Sequence, residues 1–281
     1  MTKIGSALAV SRSLLLRWFL FPSTDLSILA DRHEAVACFS MTTNLPSADD
    51  LSTALKGIAN VPNLVKRLHE GRVSIGTWKG IVNFCLRLLH MRELMTQLRG
   101  GHGADIIRRF LAEVSVPELQ GVAESVDATI DWEQSNVENR VCIKPCIDTQ
   151  LDEWRDLYAG LPSFLANVVQ KLHVNYTFPE AGRINVVYFP QLGFLVAMRC
   201  DDTSQEPQDF QVPVGWDFHF ASNTSAYYKS PEMRDLDHHV GDLHSFIADR
   251  EVEIAHQLSV AVGKAGVRFV RLAELCAELD W

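Results

Sequence analysis

Apolar and small residues recur in steps of mostly three and four through the last fifty positions: Leu236, Val240, Leu243, Ile247, Ile254, Leu258, Ala261, Ala265, Phe269, Leu272, Cys276 and Leu279. That is the period of a helix with one buried seam, and it predicts a long helix over 231–281. Pro231 suits the first turn and Ser230 the N-cap. Arg250 holds the one seam position that is not apolar, and the 250–254–258 spacing reads as a stutter. At 1.5 Å per residue such a helix spans about 75 Å. A domain of ordinary radius cannot bury it, so it needs a partner helix and carries something at its far end. A second seam supplies the partner: Leu151, Trp154, Tyr158, Leu161, Leu165, Val168 and Leu172, capped by Asp148-Thr149. Gly160 and Pro162 predict a kink in it.

Between the seams the period changes to two. Residues 184–199 read as two strands turning near Pro190 to Gly193, Trp216 to Phe220 alternates, and Ala226 to Lys229 is a fourth short strand. Two long helices flanking a strand-rich segment predict a β tip on a two-helix arm. The pattern ahead of the arm is helical. It gives helices over 6–21 (Leu15, Leu16, Phe19 and Leu20 inside) and Leu26 to Phe39 (Leu29, Val36 and Phe39 inside). Leu51 to Ala59, residues 61–70, Trp78 to Leu98, residues 104–114 and 116–129 follow. Residues 44–50 read as a polar loop, and 130–147 as irregular with short strands around 130–132 and 140–143. The fold class is mainly α with a small β insertion. Its expected divisions are a helical core over 1–147, an outgoing helix over 148–174, a β unit over 175–230 and a returning helix over 231–281.

Composition adds one asymmetry. A hydrophobic content of 47% with 22% charged residues is that of a folded soluble protein. The net charge of −9 is uneven: residues 1–110 hold 14 Lys+Arg against 8 Asp+Glu, and residues 111–281 hold 12 against 27. The first part could face a polyanion; the second could not do so uniformly. Six scattered cysteines include one lone C-x3-C, Cys142 and Cys146, with no second pair to complete a zinc site, so all six read as reduced. No apolar run reaches the length of a membrane span. Lys3, Arg12, Arg17 and several serines precede the first acid, Asp25, which also fits a mitochondrial transit peptide. A first amphipathic helix is the preferred reading.

Candidate chemistry is sparse. Asp235, Asp237, His238, His239, Asp242 and His244 form the densest group of metal-ligand types. On a helix only i/i+3/i+4 pairs share a face, so His238 and Asp242 could pair while His239 points away. Three or four ligands do not converge, and no metal is expected. The run Gly100-Gly101-His102-Gly103 is not a phosphate loop, and G-x-x-x-x-G-K-[ST] occurs nowhere in the sequence. No serine lies in G-x-S-x-G and no cysteine in a reactive motif, so no catalytic residue is assigned and the chain is not expected to be an enzyme.

Several stretches together resemble one family. Leu15-Leu16-Arg17-Trp18-Phe19-Leu20 with Pro22, Asp25, Leu29 and Arg32 resembles the opening of the MutS core domain, and Asn60-Val61-Pro62 with Leu64 and Arg67 the next core helices. Gly160-Leu161-Pro162-Ser163-Phe164-Leu165, Tyr188-x-Pro190-x-x-Gly193-Phe194-Leu195 and Gly241-Asp242-Leu243-His244-x-x-Ile247-x-Asp249 are similar to the meiotic branch of that family, MutS homologue five. The resemblance implies a MutS core helical domain and two long antiparallel lever helices carrying a β clamp at the tip. It implies a clamp on double-stranded DNA or Holliday junctions, acting in mismatch repair or meiotic recombination and located in the nucleus. Its partner would be a second MutS-family subunit of the MutS homologue four type. ATP and Mg serve the full-length family as a DNA-dependent ATPase; this chain, lacking the phosphate loop, is expected to hold neither. The tip residues so implied are Arg183, Arg199, Tyr227, Tyr228 and Lys229. Over 183–230 the three cations Arg183, Arg199 and Lys229 face five acids, Asp201, Asp202, Glu206, Asp209 and Asp217, which predicts weak DNA affinity at the tip. The alternative is a truncated scaffold that docks a MutS partner without binding DNA.

Overall fold

The computed structural model describes residues 9–101, 103–176, 184–199 and 212–280, with side chains from Leu14 onward. The chain forms two compact units, Met1–Lys144 with Glu253–Trp281, and Pro145–Val252.

The first unit is helical: α1 (Ala9–Leu20), α2 (Leu26–Phe39), α3 (Leu45–Lys56), α4 (Val61–His69), α5 (Ile75–Thr96), α6 (Asp105–Glu113) and α7 (Val116–Thr129). A two-stranded pair follows, β1 (Ile130–Asp131) and β2 (Cys142–Ile143), with α8 (Trp132–Glu138) between them. The axis of the unit is α5, whose Trp78, Ile81, Phe84, Leu88 and Met91 are fully buried. Each such side chain contributes about 1.5–3 kcal/mol. Ser74 starts α5 by accepting the Thr77 amide.

Two polar devices tie the helices together. Asn44 is buried; its Nδ2 donates to the carbonyls of Cys38 and Arg99, each at 2.9 Å, and its Oδ1 accepts the Arg99 amide at 3.0 Å. Arg87 lays its guanidinium over Gly57, where a Cβ would stand, and its Nη1 donates to the Ala54 carbonyl at 3.0 Å, closing the end of α3.

Three expectations for this unit are corrected. Leu16, Phe19 and Leu20 face outward; the covered side of α1 is Leu14, Leu15 and Trp18, with the Arg32 guanidinium 3.8 Å over the Trp18 ring. Val36 is exposed because Ala35, Cys38 and Phe39 set the seam of α2, about 100° around the helix from it. The polar stretch 44–50 is not a loop: Pro46 in the first turn lacks the amide that would have no partner there, and the Ala48 amide reaches Asn44 O at 2.9 Å, so α3 starts at Leu45. Within 130–147 the sequence reading also missed α8, capped by Asp131 on the Gln134 amide at 2.9 Å.

The second unit begins with α9 (Thr149–Asn175), which runs unbroken with Pro162 inside it. Then come β3 (Ile184–Phe189), β4 (Gly193–Arg199), β5 (Asp217–Ala221) and β6 (Ser225–Lys229), in antiparallel order β3-β4-β6-β5. Val186 pairs with Val196, Val196 with Tyr228 and Tyr228 with Phe218, which puts these residues in one row of the sheet; a bulge follows Phe218. Val186, Phe194, Val196, Ala226 and Tyr228 share a core with Leu161, Leu165 and Leu172 of α9 and with Met233 and Leu243.

The last fifty residues are three helices and not one: α10 (Pro231–His239), α11 (Leu243–Gly263) and α12 (Gly266–Leu279). Gly241 at φ 71° leaves the helical region and ends α10, and a two-residue break with glycines on either side separates α11 from α12. The seam reads through both breaks because neither is longer than one turn. It does slip once: Ala261 is exposed and Val262 buried in its place. The boundary between the units falls within α11, after Val252.

Within the second unit, α9 and the start of α11 run antiparallel. Asp148 pairs with Arg250 (2.7 Å to Nη2), the Trp154 ring meets Phe246 at 5.6 Å, and Tyr158 meets His244 at 6.3 Å, so contacts descend α11 as they ascend α9. Arg250 occupies an apolar seam because Asp148, which also caps α9 on the Leu151 amide, waits opposite it. Beside them the buried Glu251 carboxylate accepts from Arg155 Nη2 at 2.5 Å.

Candidate nucleic-acid interface

The strand segment and the α10–α11 corner meet through two carboxylates. The β3–β4 turn needs Gln191 at φ 68° and Gly193 at φ 79°, and a Cβ on Gly193 would collide with Asp237 Oδ1. Asp237 accepts the Phe194 amide at 2.9 Å and forms an ion pair with Lys229. Lys229 Nζ also donates to the carbonyls of Phe194 at 2.9 Å and Leu192 at 3.1 Å. Asp242, heading α11, accepts the Gln191 amide at 3.0 Å, the Ser245 hydroxyl at 2.7 Å, the Ser245 amide at 3.3 Å and the Tyr188 hydroxyl. Burial alone would raise its pKa, but these hydrogen bonds outweigh burial and bring it down to about 2. Burial, then the Asp242 carboxylate, raise the Tyr188 phenol.

Two of the motifs that carried the family resemblance are therefore the two halves of one corner. Tyr188-x-Pro190-x-x-Gly193 is the hairpin, and Gly241-Asp242-Leu243-His244 is the helix start that holds it. The sequence reading missed this role. Its signal was present as Gly241 directly before Asp242 and an Asp-x-x-Ser spacing at 242–245.

The proposed tip residues separate. Tyr228 is 3% exposed, packed against Trp216 and Phe218 on the helix-facing side of the sheet. Lys229 is engaged by Asp237 and two carbonyls. Neither sits on the bare tip surface where the sequence reading put it: strand alternation turns Tyr228 inward, and the hairpin turn supplies acceptors within reach of Lys229. Tyr227 points to the opposite face, half-buried, stacked on Phe220 at 4.5 Å and edge-on to Phe189 at 5.5 Å. Arg199 stands exposed at the end of β4, opposite Ser225. Arg183 and the acidic stretch 200–209 lie outside the described residues.

The remaining candidates take ordinary roles. Asp237 and Asp242 of the metal-ligand cluster bind the hairpin, His238 is exposed, and His239 Nδ1 lies 2.7 Å from the Asp235 carbonyl. The glycine run after α5 offers no phosphate cradle, because the Glu34 carboxylate lies against Gly103. Burial raises the Cys85 thiol to about 12 and raises Cys276 as well, which removes both as nucleophiles. The positive excess of residues 1–110 is partly internal: Arg92 donates to the carbonyls of Leu111 and Val114, and Arg108 and Arg109 pair with Asp105. Lys66, Arg67 and Arg72 are exposed at the end of α4.

Comparison with known proteins converges with this architecture. The family MutS domain III matches residues 9–281. The MutS protein homolog 5 of Saccharomyces cerevisiae is 25% identical over 283 residues, covering 96% of this chain and 31% of its own length. The MutS protein homolog 5 of Caenorhabditis elegans is 23% identical over 273 residues, covering 96% of this chain and 19% of its own. The chain thus spans a third or less of the curated relatives it matches. With one family matched from the first described helix to the last residue, the chain belongs to the MutS family, in its domain III.

Proposed function

We propose that this chain is the core-and-lever part of a DNA clamp acting in meiotic recombination or mismatch repair in the nucleus. The first unit serves as the core, and the second as the lever with its β clamp. The observation that carries the reading is the corner at Asp237 and Asp242, which fastens the hairpin of a four-stranded sheet to the helices that follow it. A sheet so anchored moves as one piece with its helices, which a closing clamp requires.

The DNA contact is one of enclosure more than of charge. Arg199 is the exposed cation of the described strands, and Lys229 is already engaged, so few phosphates are neutralised here. Affinity then comes from a second MutS-family subunit, of the MutS homologue four type, closing around the same duplex or Holliday junction. In this reading the chain itself hydrolyses no ATP; ATP and Mg belong to the rest of the family's architecture.

The test is binding of the full chain, alone and co-expressed with such a subunit, to duplex and four-way-junction DNA across a salt series. The proposal expects binding with the partner and a shallow contribution from the tip, about 0.9 in the log–log salt slope for each phosphate contact. Binding to neither DNA with the partner present would overturn it. That outcome supports the second reading, a scaffold that only docks a MutS-family partner, which the engagement of Lys229 favours.

A further inference from the structure

Much of the positive charge of the first unit is used internally, but not at the end of α4. Arg92, Arg108 and Arg109 are engaged by carbonyls and by Asp105. Lys66, Arg67 and Arg72 are exposed, the Lys66 side chain to 70%. The reason is local. Val61, Leu64, Val65 and Leu68 form the buried stripe of α4, so positions 66 and 67 fall outside it. Gly71 then turns the chain at φ 67°, and the Arg72 amide donates to the Arg67 carbonyl at 3.0 Å, which closes the helix and fixes Arg72 beside its last turn.

A second helix end is packed against this one. The His256 ring of α11 lies against Gly71, where a Cβ would stand 3.5 Å from Nδ1. Gly266, the first residue of α12, comes so close to α4 that a Cβ would lie 2.9 Å from Val65 and 3.0 Å from the His69 ring. Lys264 stands exposed in the two-residue link just before it. Four cations and two imidazoles thus gather around two adjoining helix ends. The acids among them do not cover them: Glu70 meets Lys66 at 3.7 Å in an exposed i,i+4 pair of little energy, and Glu253 accepts from Gln257. The dipoles of α4 and α11 favour cations here but leave the charged heads in solvent.

Such a surface fits a phosphate backbone. Residues 111–281 hold 12 Lys+Arg against 27 Asp+Glu, so on balance they repel a polyanion. The described strands offer Arg199, with Lys229 engaged. A duplex enclosed by the clamp finds the cations that the sheet lacks at these helix ends, where Lys and Arg meet phosphate without reading sequence. We propose that Lys66, Arg67, Arg72 and Lys264 form a phosphate-binding site for double-stranded DNA on the first unit, separate from the β sheet. The site rests on the DNA-clamp reading and adds a contact in the core to it.

The test follows duplex binding by the full chain, co-expressed with a second MutS-family subunit, across a salt series. Each phosphate contact contributes about 0.9 to the log–log slope, or about eightfold in affinity at about 0.1 M salt. The expected result is a slope lower by about 1.8 for the double variant Lys66→Gln with Arg72→Gln, and by about 0.9 for Lys264→Gln. Lys56→Gln, exposed at the end of α3, leaves the slope unchanged. All four positions are on the surface, and matching thermal melts check that the first unit stays folded. A wild-type slope in both the double variant and Lys264→Gln overturns this site while the clamp reading stands. No duplex binding by the wild-type assembly overturns both. Loss of subunit association in the double variant, seen by light scattering, with the slope of the remaining complex unchanged, also overturns the site, because the surface would then hold an acidic face of the partner protein.

Discussion

Replacing Asp242 by Ala removes one carboxylate and, with it, the acceptor of four hydrogen bonds from Tyr188, Gln191 and Ser245. A hydrogen bond to a charged group contributes about 1.5–3 kcal/mol, but four on one carboxylate do not add, and water replaces part of each. Titration gives a second route to the same quantity. The pKa falls from 3.8 to about 2 on folding, which at 1.36 kcal/mol per unit is about 2 kcal/mol before screening by solvent at this half-covered site. Both routes point to about 2 kcal/mol, or about 30-fold in the local opening equilibrium. Because the folded pKa is depressed, that stability is present above the unfolded value near 4 and is lost as pH falls through about 2. Hydrogen exchange at neutral pH checks it: Asp242→Ala speeds exchange of 184–199 by about 30-fold and leaves α5 and α7 as they were. Asp242→Asn, which keeps one acceptor oxygen, falls between. Unchanged protection of 184–199 would refute the anchoring role. Equal loss in α5 would refute the independence of the two units.

Four further outcomes follow from named contacts. Leu243→Asp buries an unpaired carboxylate among Leu161, Leu165 and Phe194; it destabilises the second unit by about 3–5 kcal/mol while α5 stays protected, read by hydrogen exchange. Asn44→Ala strands the Arg99 amide and the Cys38 carbonyl; it lowers the urea midpoint of the first unit by an amount equivalent to about 2–4 kcal/mol. Gly193→Ala meets both a left-handed backbone and Asp237; a loss of about 1–3 kcal/mol is expected in thermal melts of the second unit. In DNA binding with a partner subunit, Arg199→Gln reduces the salt slope by about 0.9 and Lys229→Gln leaves it unchanged, because only the first cation is available to a phosphate.

What was legible in the sequence followed from period, and what was not followed from geometry that period ignores. The alternation over 184–199 and the turn at Pro190 to Gly193 located β3 and β4, because a proline and a glycine three positions apart between two apolar runs mark a turn. The seam of α9 was legible from its steps of three and four, down to buried Leu151, Leu161, Leu165 and Leu172, although Tyr158 of the expected seam is exposed. The final helix was misread because breaks no longer than one turn leave a three-or-four-residue step readable; only Gly241, and Gly263 with Gly266, betrayed them. The face of α1 was misread because the exposed Leu16, Phe19 and Leu20 are as apolar as the covered Leu14, Leu15 and Trp18, and a helix with apolar residues all round does not declare its inner side. The surroundings of two tip residues were missed by a different route. Tyr228 and Lys229 were chosen for chemical type, yet strand parity had already fixed Tyr228 on the face of Val196, and the carbonyls of the neighbouring turn claimed Lys229. A cation counts toward an interface only after the local acceptors have been served, and here the hairpin that holds the sheet in place takes the one lysine that its strands supply.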